Sequence, residues 1–476
     1  MDKMRILLTD DCGFLSRAQT RDQIEQWVAH YGGQGFDAVA WDLLGGDMGY
    51  YRSDVVEMNP DYICCTRLIE QGVDPPGVIS EACHRHGLGY WPAVRLNAQR
   101  GETQFKRDNP DALLTATTFP RPGMLDYESP KVQRLMLDAM RELVERWDAD
   151  GLLLDFVRYW FMFHEDRLIE NASLLTHFMG DIRAMMDEVG EKKGKYIPLV
   201  AQVLPRVSLC LRYSMDVKAW AKQGHVQYLL PSRPNNTDFN LPVEQFMAAV
   251  EGTECRVFPV LHPATNHAFG VVENKMTAAM FRAGAHAYYQ AGAHGLATMN
   301  LAHFPKNLIH ELRDVQRVAQ GPHHYRYSNH PYDFGEGPLR FLVETPLPLD
   351  GDRQMLAARK VLPFRLATDP KARFGGVLQL RIENLHPGDE LHIELNGELI
   401  LRSSVIGNQG QFAGPHDQCR CPYDQPRLDE LCHFIYEFDL SDIPVIQGEN
   451  ELSFQILRGQ LPRHHAIVSQ VDVIFP

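Results

Sequence analysis

Eight short apolar runs recur through the first two thirds of this 476-residue chain, and segments with helical periodicity separate them. The runs are apolar throughout, which is typical of parallel strands that are covered on both faces. Strands that alternate with helices in this way indicate crossover connections within one parallel sheet. Eight such units predict a (β/α)8 TIM barrel. The predicted strands are residues 5–9, 38–41, 89–96, 151–156, 197–203, 226–230, 256–261 and 295–300.

The helical segments show one apolar face each. Residues 131–147 place Met140, Leu143 and Val144 on one side, and Pro130 just before them is a helix start signal. No glycine-rich phosphate-binding loop follows any predicted strand, which argues against an open nucleotide-binding sheet. The predicted helices are residues 21–31, 131–147, 171–189, 217–223, 243–250, 275–290 and 306–318.

The pattern changes between residues 320 and 340, where aromatic residues, proline, glycine and histidine are concentrated. Beyond this segment the helical period disappears, and apolar and polar residues alternate as in half-buried antiparallel strands. Asn396-Gly397 is a hairpin turn signal within this region. The sequence therefore predicts a barrel over residues 1–320, a linker over residues 321–337 and an all-β sandwich domain over residues 338–476.

The chain carries a formal net charge of -14. This charge argues against a nucleic-acid partner and against an anionic membrane surface, both of which require clustered lysine and arginine. The amino-terminal residues show no signal-peptide pattern, so we expect a cytoplasmic protein, or a secreted or periplasmic one whose signal has been removed. The sequence leaves the oligomeric state open, a homo-oligomer included.

Catalytic groups of a TIM barrel lie at the carboxyl ends of its strands and on the loops that follow. This rule selects polar and aromatic side chains that suit a carbohydrate, because aromatic rings contact the apolar faces of sugars while polar groups bind their hydroxyls. We expect about half of the aromatic residues near the strand ends to contact a ligand. The predicted substrate-binding residues are Asp10, Tyr50, Trp91, Arg95, Asn97, Arg158, Tyr159, Gln202, Arg233, His262 and Asn300.

The fourth predicted strand ends in a carboxylate, Asp155. A charge at a barrel mouth costs free energy unless it is paired or used, and Arg158 is a candidate partner. An ionised carboxylate suits a nucleophile or a general base in glycosidic cleavage, because the transition state is oxocarbenium-like. The structural alternative is an aspartate that only caps the next helix or pairs with Arg158.

Glycosidic cleavage requires a second carboxyl group. We predict Asp42 or Asp238 as the acid, with Asp10 or Asp11 as a third choice. Adjacent residues of a strand point to opposite faces, so only one of that pair is expected to enter the barrel mouth. His262 is a further proton donor by residue type.

Two segments resemble the glycosyl-hydrolase-like family 10 proteins. Residues 145–159, which read ERWDADGLLLDFVRY, are similar to that family's "YDVDGIHLDYIRYP" block, and residues 220–231 are similar to its "W-x-x-x-G-x-V-D-Y-I-x-P-Q" segment. The resemblance implies a TIM barrel with glycoside hydrolase activity on a polysaccharide, and it singles out Asp155. Phe156 stands where the family has tyrosine and Trp160 where it has proline, so the resemblance implies a distant relative and carries no substrate.

Two other interpretations remain. A carbohydrate-binding protein without catalysis predicts the same aromatic mouth, and the absence of an acid directly after strands 6 and 7 favours it. A metal-dependent barrel hydrolase or isomerase requires histidine and carboxylate ligands that converge from several strands. Asp10 and Asp11 lack a nearby His-x-His, and His84-x-His86 precedes strand 3 at the opposite end of the barrel, so we predict no metal and no cofactor.

Overall fold

The computed structural model describes residues 4–98, 101–115, 123–234, 236–265, 275–300, 307–328, 349–350, 359–385, 390–404, 411–415, 432–458 and 467–476. The chain divides into two compact units. The first consists of Met1–Pro234, Leu241–His262 and Ala291–Arg313. The second consists of Asn235–Asn240, Pro263–Gln290 and Asp314–Pro476.

The first unit contains a closed barrel of eight parallel strands, each hydrogen-bonded to its neighbours in chain order. β8 pairs with β1. β7 consists of two short parts, and together they close the barrel. Its first part pairs with β6 and its second part with β8, and Pro259 lies between the two parts. The (β/α)8 barrel predicted from the sequence is confirmed. The strands are β1 (Ile6–Asp10), β2 (Ala38–Gly45), β3 (Gly89–Arg95), β4 (Leu152–Asp155), β5 (Leu199–Val203), β6 (Tyr228–Pro231), β7 (Arg256–Val257 and Val260–Leu261) and β8 (Leu296–Met299).

Six of the seven helices predicted from the sequence form within four residues of their predicted bounds. The Thr20 side chain accepts the Gln23 N–H and so caps α1, and Pro130 begins α5. The predicted helix over residues 306–318 is instead two short helices, α11 and α12, because Asp314 caps a new start. No helix of the described residues is long and apolar enough to span a bilayer. The helices are α1 (Arg21–Tyr31), α2 (Ile63–Glu70), α3 (Pro75–Arg85), α4 (Gln104–Asp108), α5 (Pro130–Arg146), α6 (Ala172–Lys193), α7 (Val207–Arg212), α8 (Val217–Lys222), α9 (Val243–Val250), α10 (Ala278–Gln290), α11 (Leu308–Leu312) and α12 (Val315–Gln320).

Apolar side chains fill the barrel interior. Successive side chains of a strand point to opposite faces, so every second residue faces inward. The inward positions on β2 are small, and the inward rings of Trp91 on β3 and Tyr228 on β6 have centroids 6.0 Å apart. The barrel is therefore packed, as is usual for this fold. The interior residues are Leu7, Ala38, Ala40, Trp91, Ala93, Leu153, Val200, Tyr228, Leu230, Phe258, Val260, Ala297 and Met299.

The described residues of the second unit form two antiparallel sheets. Apolar residues are buried at alternate positions, as in Glu390–Leu395. Tyr327 and Phe364, from different sheets, lie 5.3 Å apart between ring centroids. The predicted β-sandwich is confirmed. The strands are β9 (His323–Ser328), β10 (Leu349–Asp350), β11 (Lys360–Leu366), β12 (Val377–Leu385), β13 (Glu390–Leu395), β14 (Glu398–Ser404), β15 (Gln411–Pro415), β16 (Cys432–Asp439), β17 (Gly448–Arg458) and β18 (Ile467–Phe475).

One of these strands lies inside the segment that the sequence assigns to a linker. β9 pairs with β18 over its whole length, and the side chains of His323 and Tyr325 are buried. Residues 329–337, the rest of the predicted linker, lie outside the described residues.

Candidate active site

A layer of buried polar side chains covers the apolar interior of the barrel at the carboxyl ends of its strands. In six consecutive strands, β2 to β7, a polar residue stands two positions after an inward apolar residue, so it faces the same side. We call this set the polar layer. Its members are Asp42, Arg95, Asp155, Gln202, Ser232 and His262, which follow Ala40, Ala93, Leu153, Val200, Leu230 and Val260 respectively.

Arg95 is the centre of this layer. Its Nη1 lies 2.9 Å from Oδ2 of Asp42, and its Nε donates to Oδ2 of Asp155 at 3.2 Å. Its Nη2 donates to Oδ1 of Asp11, which follows β1. The Arg95 side chain is only 5% exposed, so three carboxylates from three strands surround one buried cation. Their negative charge raises the pKa of Arg95 still further, although burial alone would lower it.

Asp11 is held in its ionised form. Burial would raise the pKa of its carboxyl, but the charges of Arg95 and Arg158 and a hydrogen bond from Asn300 outweigh burial and lower it. Asn300 Nδ2 donates to Oδ2 of Asp11 at 2.8 Å, while its Oδ1 accepts the Asp11 backbone N–H at 2.9 Å. The predicted site residue Asn300 thus lies at the mouth and fixes the orientation of Asp11.

Asp155 ends β4, and its two oxygens have different partners. Oδ1 accepts the backbone N–H of Val157 at 2.9 Å, and Oδ2 accepts from Arg95. The cation in contact with Asp155 is therefore Arg95 rather than Arg158, the partner expected from the sequence. Arg158 lies close enough to Asp11 and His262 to affect the pKa of both.

His262 completes the opposite side of the layer. Its Nε2 lies 2.9 Å from the Ser232 hydroxyl, and the Gln202 side-chain amide donates to that hydroxyl at 3.3 Å. Burial lowers the pKa of His262 to about 3, and the Arg233 and Arg158 charges act in the same direction. The lowered pKa favours the neutral imidazole near pH 7. The role of His262 as a proton donor stays a prediction.

Aromatic residues flank the polar layer, and they are buried. Tyr50 stacks on Tyr62 with 4.1 Å between ring centroids, and its hydroxyl is near enough to Arg95 to influence that pKa. Tyr159 is 7% exposed. Tyr50 therefore lies beside the Arg95 cluster, and its ring packs against that of Tyr62.

Two predicted substrate-binding residues do not lie at the mouth. Trp91 faces the lower part of the barrel interior, because it precedes Arg95 by four residues on the same face of β3. A Cβ at Gly151, just before β4, would lie 2.5 Å from the Trp91 ring, so a glycine there leaves room for the indole. Asp10 points out of the barrel and accepts from the Tyr31 hydroxyl at 2.6 Å and from Trp27 Nε1 at 3.2 Å. Asp11 occupies the mouth instead.

Asn97 has a supporting role. Its side-chain amide donates to the carbonyl oxygens of Leu125 and Phe161, and its Oδ1 accepts the Leu125 N–H at 2.7 Å. These bonds join the end of β3 to the loops after β3 and β4. Asn97 is only 1% exposed, and the described hydrogen bonds of its side chain all go to backbone atoms.

Asp238, a predicted acid, belongs to the second unit. Its Oδ1 accepts the Asn240 N–H at 2.9 Å, and its backbone oxygen accepts from the Tyr288 hydroxyl. It is not one of the carboxylates that contact Arg95. Within the described residues, no group of three or more histidine, cysteine, aspartate or glutamate side chains is arranged to hold a metal ion.

No protein-family model and no curated relative matches the chain. Solved structures with a similar outline include an α-L-fucosidase isoenzyme 2 from Paenibacillus thiaminolyticus (12% identity, TM-score 0.42, 66% of this chain and 49% of that one). A GH36 α-galactosidase from Geobacillus stearothermophilus (12%, 0.41, 96% and 56%) and an α-galactosidase from Thermus thermophilus (14%, 0.39, 69% and 64%) are also similar. The chain spans about half to two thirds of their lengths, and its fold assignment rests on its own strand pairing.

Proposed function

We propose that this chain is a glycoside hydrolase that cleaves an oligo- or polysaccharide at the carboxyl-terminal mouth of its barrel. The observation that carries the proposal is the cluster of Asp11, Asp42 and Asp155 around the buried Arg95. Three carboxylates and one guanidinium carry a net charge of -2 when all are ionised. Such a site stabilises the positive charge that develops on a sugar ring as a glycosidic bond breaks.

Asp155 acts as the nucleophile or the general base in this proposal. Arg95 and the Val157 N–H contact its two oxygens and fix the orientation of the carboxyl group at the barrel mouth. Asp11 does not suit the role of acid, because its pKa is lowered. Asp42 and Asp238 therefore remain the candidates for the group that protonates the leaving oxygen, and Asp42 shares the Arg95 cluster.

The alternative is a carbohydrate-binding protein without catalysis. One observation favours it: the charges of Arg95 and Arg158 lower the pKa of Asp11, whereas a general acid must be protonated before cleavage. Arg95 also contacts Asp42 and Asp155. This alternative predicts that sugars bind at the mouth and are not cleaved.

The first experiment is product release from a broad panel of glycosides and polysaccharides, with wild type compared with Asp155→Asn. We expect a decrease in kcat/KM of about 10³-fold, equivalent to roughly 4 kcal/mol of transition-state stabilisation. Asp138→Asn is the matched control, since Asp138 lies on α5 and pairs with the exposed Arg134. Full activity in Asp155→Asn rejects the site assignment, and sugar binding without cleavage in wild type supports the binding protein.

A second comparison separates the two candidate acids. An enzyme that has lost its general acid retains more activity on aryl glycosides with a good leaving group, because the departing oxygen then needs no proton. We expect Asp42→Asn to show this selective retention and Asp238→Asn not to show it. The opposite result assigns the acid to Asp238.

A further inference from the structure

A cleft lies outside the barrel, between α1 and the turn Gly13–Ser16 that follows β1. Its volume is about 560 Å³, which is within the range of small-molecule sites. The indole of Trp27 and the ring of Phe14 form one wall, stacked at 5.2 Å with 15° between their planes. The lining residues are Phe14, Arg17, Ala18, Gln23, Gln26, Trp27 and His30.

Trp27 is held in a fixed position while part of its ring stays accessible. Its Nε1 donates to Oδ2 of Asp10 at 3.2 Å, and Phe14 covers one ring face. All six tryptophans of the chain lie in described residues, and Trp27 is the one that is not buried. A large indole that is fixed and partly exposed provides a preorganised surface for a flat apolar face.

The polar side chains that line the cleft carry no negative charge. They consist of two amide side chains, Gln23 and Gln26, with the cation Arg17 and with His30. None of the seven described lining residues is acidic, although the chain as a whole carries a net charge of -14. The lining is therefore locally positive or neutral on a protein whose net charge is negative.

We propose that this cleft is a second saccharide-binding site, separate from the barrel mouth, for a sugar unit that carries a carboxylate. The Trp27 indole contacts the apolar ring face, the two amides bind hydroxyls, and Arg17 pairs with the acid group. The site goes beyond the proposed hydrolysis, since no residue of the lining belongs to the polar layer.

The test uses the full-length protein with sodium D-glucuronate and methyl glucopyranoside as probes. Affinity is measured by calorimetry, and access to Trp27 is measured by acrylamide quenching of tryptophan fluorescence. We expect glucuronate to bind more tightly than the neutral glycoside, to weaken as salt is added and to protect one tryptophan from quencher. Equal affinity for the two probes, or binding without protection, overturns the proposal.

Two exposed substitutions locate the site. Arg17→Glu and Gln26→Glu each place a negative charge in the cleft, so glucuronate affinity should decrease at least about tenfold. Asp22→Asn on the same helix α1, outside the lining, is the control and should leave the affinity unchanged. Unchanged binding in both cleft variants overturns the proposal. Asp155→Asn should retain glucuronate binding while it loses hydrolysis, which separates this test from that of the proposed function.

Discussion

Replacement of Arg95 by methionine tests whether this guanidinium holds the carboxylate cluster together. Methionine retains an apolar stem of similar length and removes the charge, so the change isolates electrostatics from packing. Three contacts are lost at once, to Asp11, Asp42 and Asp155. The three carboxylates then lose the guanidinium that they share, and Arg158 is the cation that remains near Asp11.

The size of the expected loss of stability follows from the burial of the Arg95 ion pairs. Removal of one partner from a buried ion pair costs about 3–5 kcal/mol, because the other charge stays desolvated. The three contacts of Arg95 do not multiply this cost, since a carboxyl that is left without a cation takes up a proton instead. We therefore expect the free energy of unfolding to decrease by about 3–5 kcal/mol near pH 7, a decrease in Tm of roughly 6–20 °C.

The loss should depend on pH in a definite direction. In wild type the pKa of Asp11 is lowered, so this residue contributes stability above the unfolded pKa of about 4 and loses it as the pH decreases below that value. In Arg95→Met, burial raises the pKa of the same carboxyl, so the folded state binds a proton that the unfolded state releases. Stability of the variant then decreases as the pH rises from about 4 to 7. The difference from wild type is widest near pH 8 and narrows near pH 5.

The measurement is thermal unfolding followed by circular dichroism at pH 5 and pH 8. Arg134→Met is the control, because the Arg134 side chain is 76% exposed and its contact with Asp138 is a surface pair. We expect the control to change Tm by less than about 2 °C at both pH values. An Arg95→Met loss no larger than the control, or one that grows toward pH 5, refutes the role assigned to Arg95.

Three further predictions follow from the positions of predicted site residues. Asn97→Ala should cost about 2–4 kcal/mol in chemical denaturation, because three buried hydrogen bonds to loop backbone are lost; Asn109→Ala, which loses one bond, should cost less. Trp91→Ala should cost about 3–5 kcal/mol through the cavity it leaves, with KM for a cleaved glycoside unchanged, whereas an increased KM alone would return Trp91 to the substrate site. His262→Gln should leave the shape of the pH profile of kcat/KM intact between pH 5 and 8, because the pKa of His262 is about 3.

The sequence predicts the barrel well because its signals are redundant. Each strand is a continuous apolar run, each crossover helix has an apolar face, and the units repeat eight times. A misplaced boundary in one unit therefore leaves the predicted fold unchanged. The start of the β-sandwich is harder to predict from the sequence. β9 carries histidines and tyrosines whose polar atoms find their hydrogen-bond partners only in the folded state. His323 Nε2 lies 2.7 Å from the Val318 carbonyl oxygen, and the Tyr325 hydroxyl lies 2.9 Å from Thr368 Oγ1.

The sequence assigned Asp10 and Trp91 to the barrel mouth and the structure places neither there, for a reason that follows from the strand period. The chain names candidates by position along a strand, whereas the mouth is reached only by residues on the inward face. Counting in steps of two from Leu7 reaches Asp11 and passes over Asp10, and counting back from Arg95 places Trp91 in the barrel interior.

The same count, applied to each strand from its inward apolar residue, yields Asp42, Asp155 and His262. It requires that one inward residue per strand be known, and a run that is apolar throughout conceals which one that is. The property that makes the strands easy to recognise is therefore the one that hides which of their polar neighbours meet.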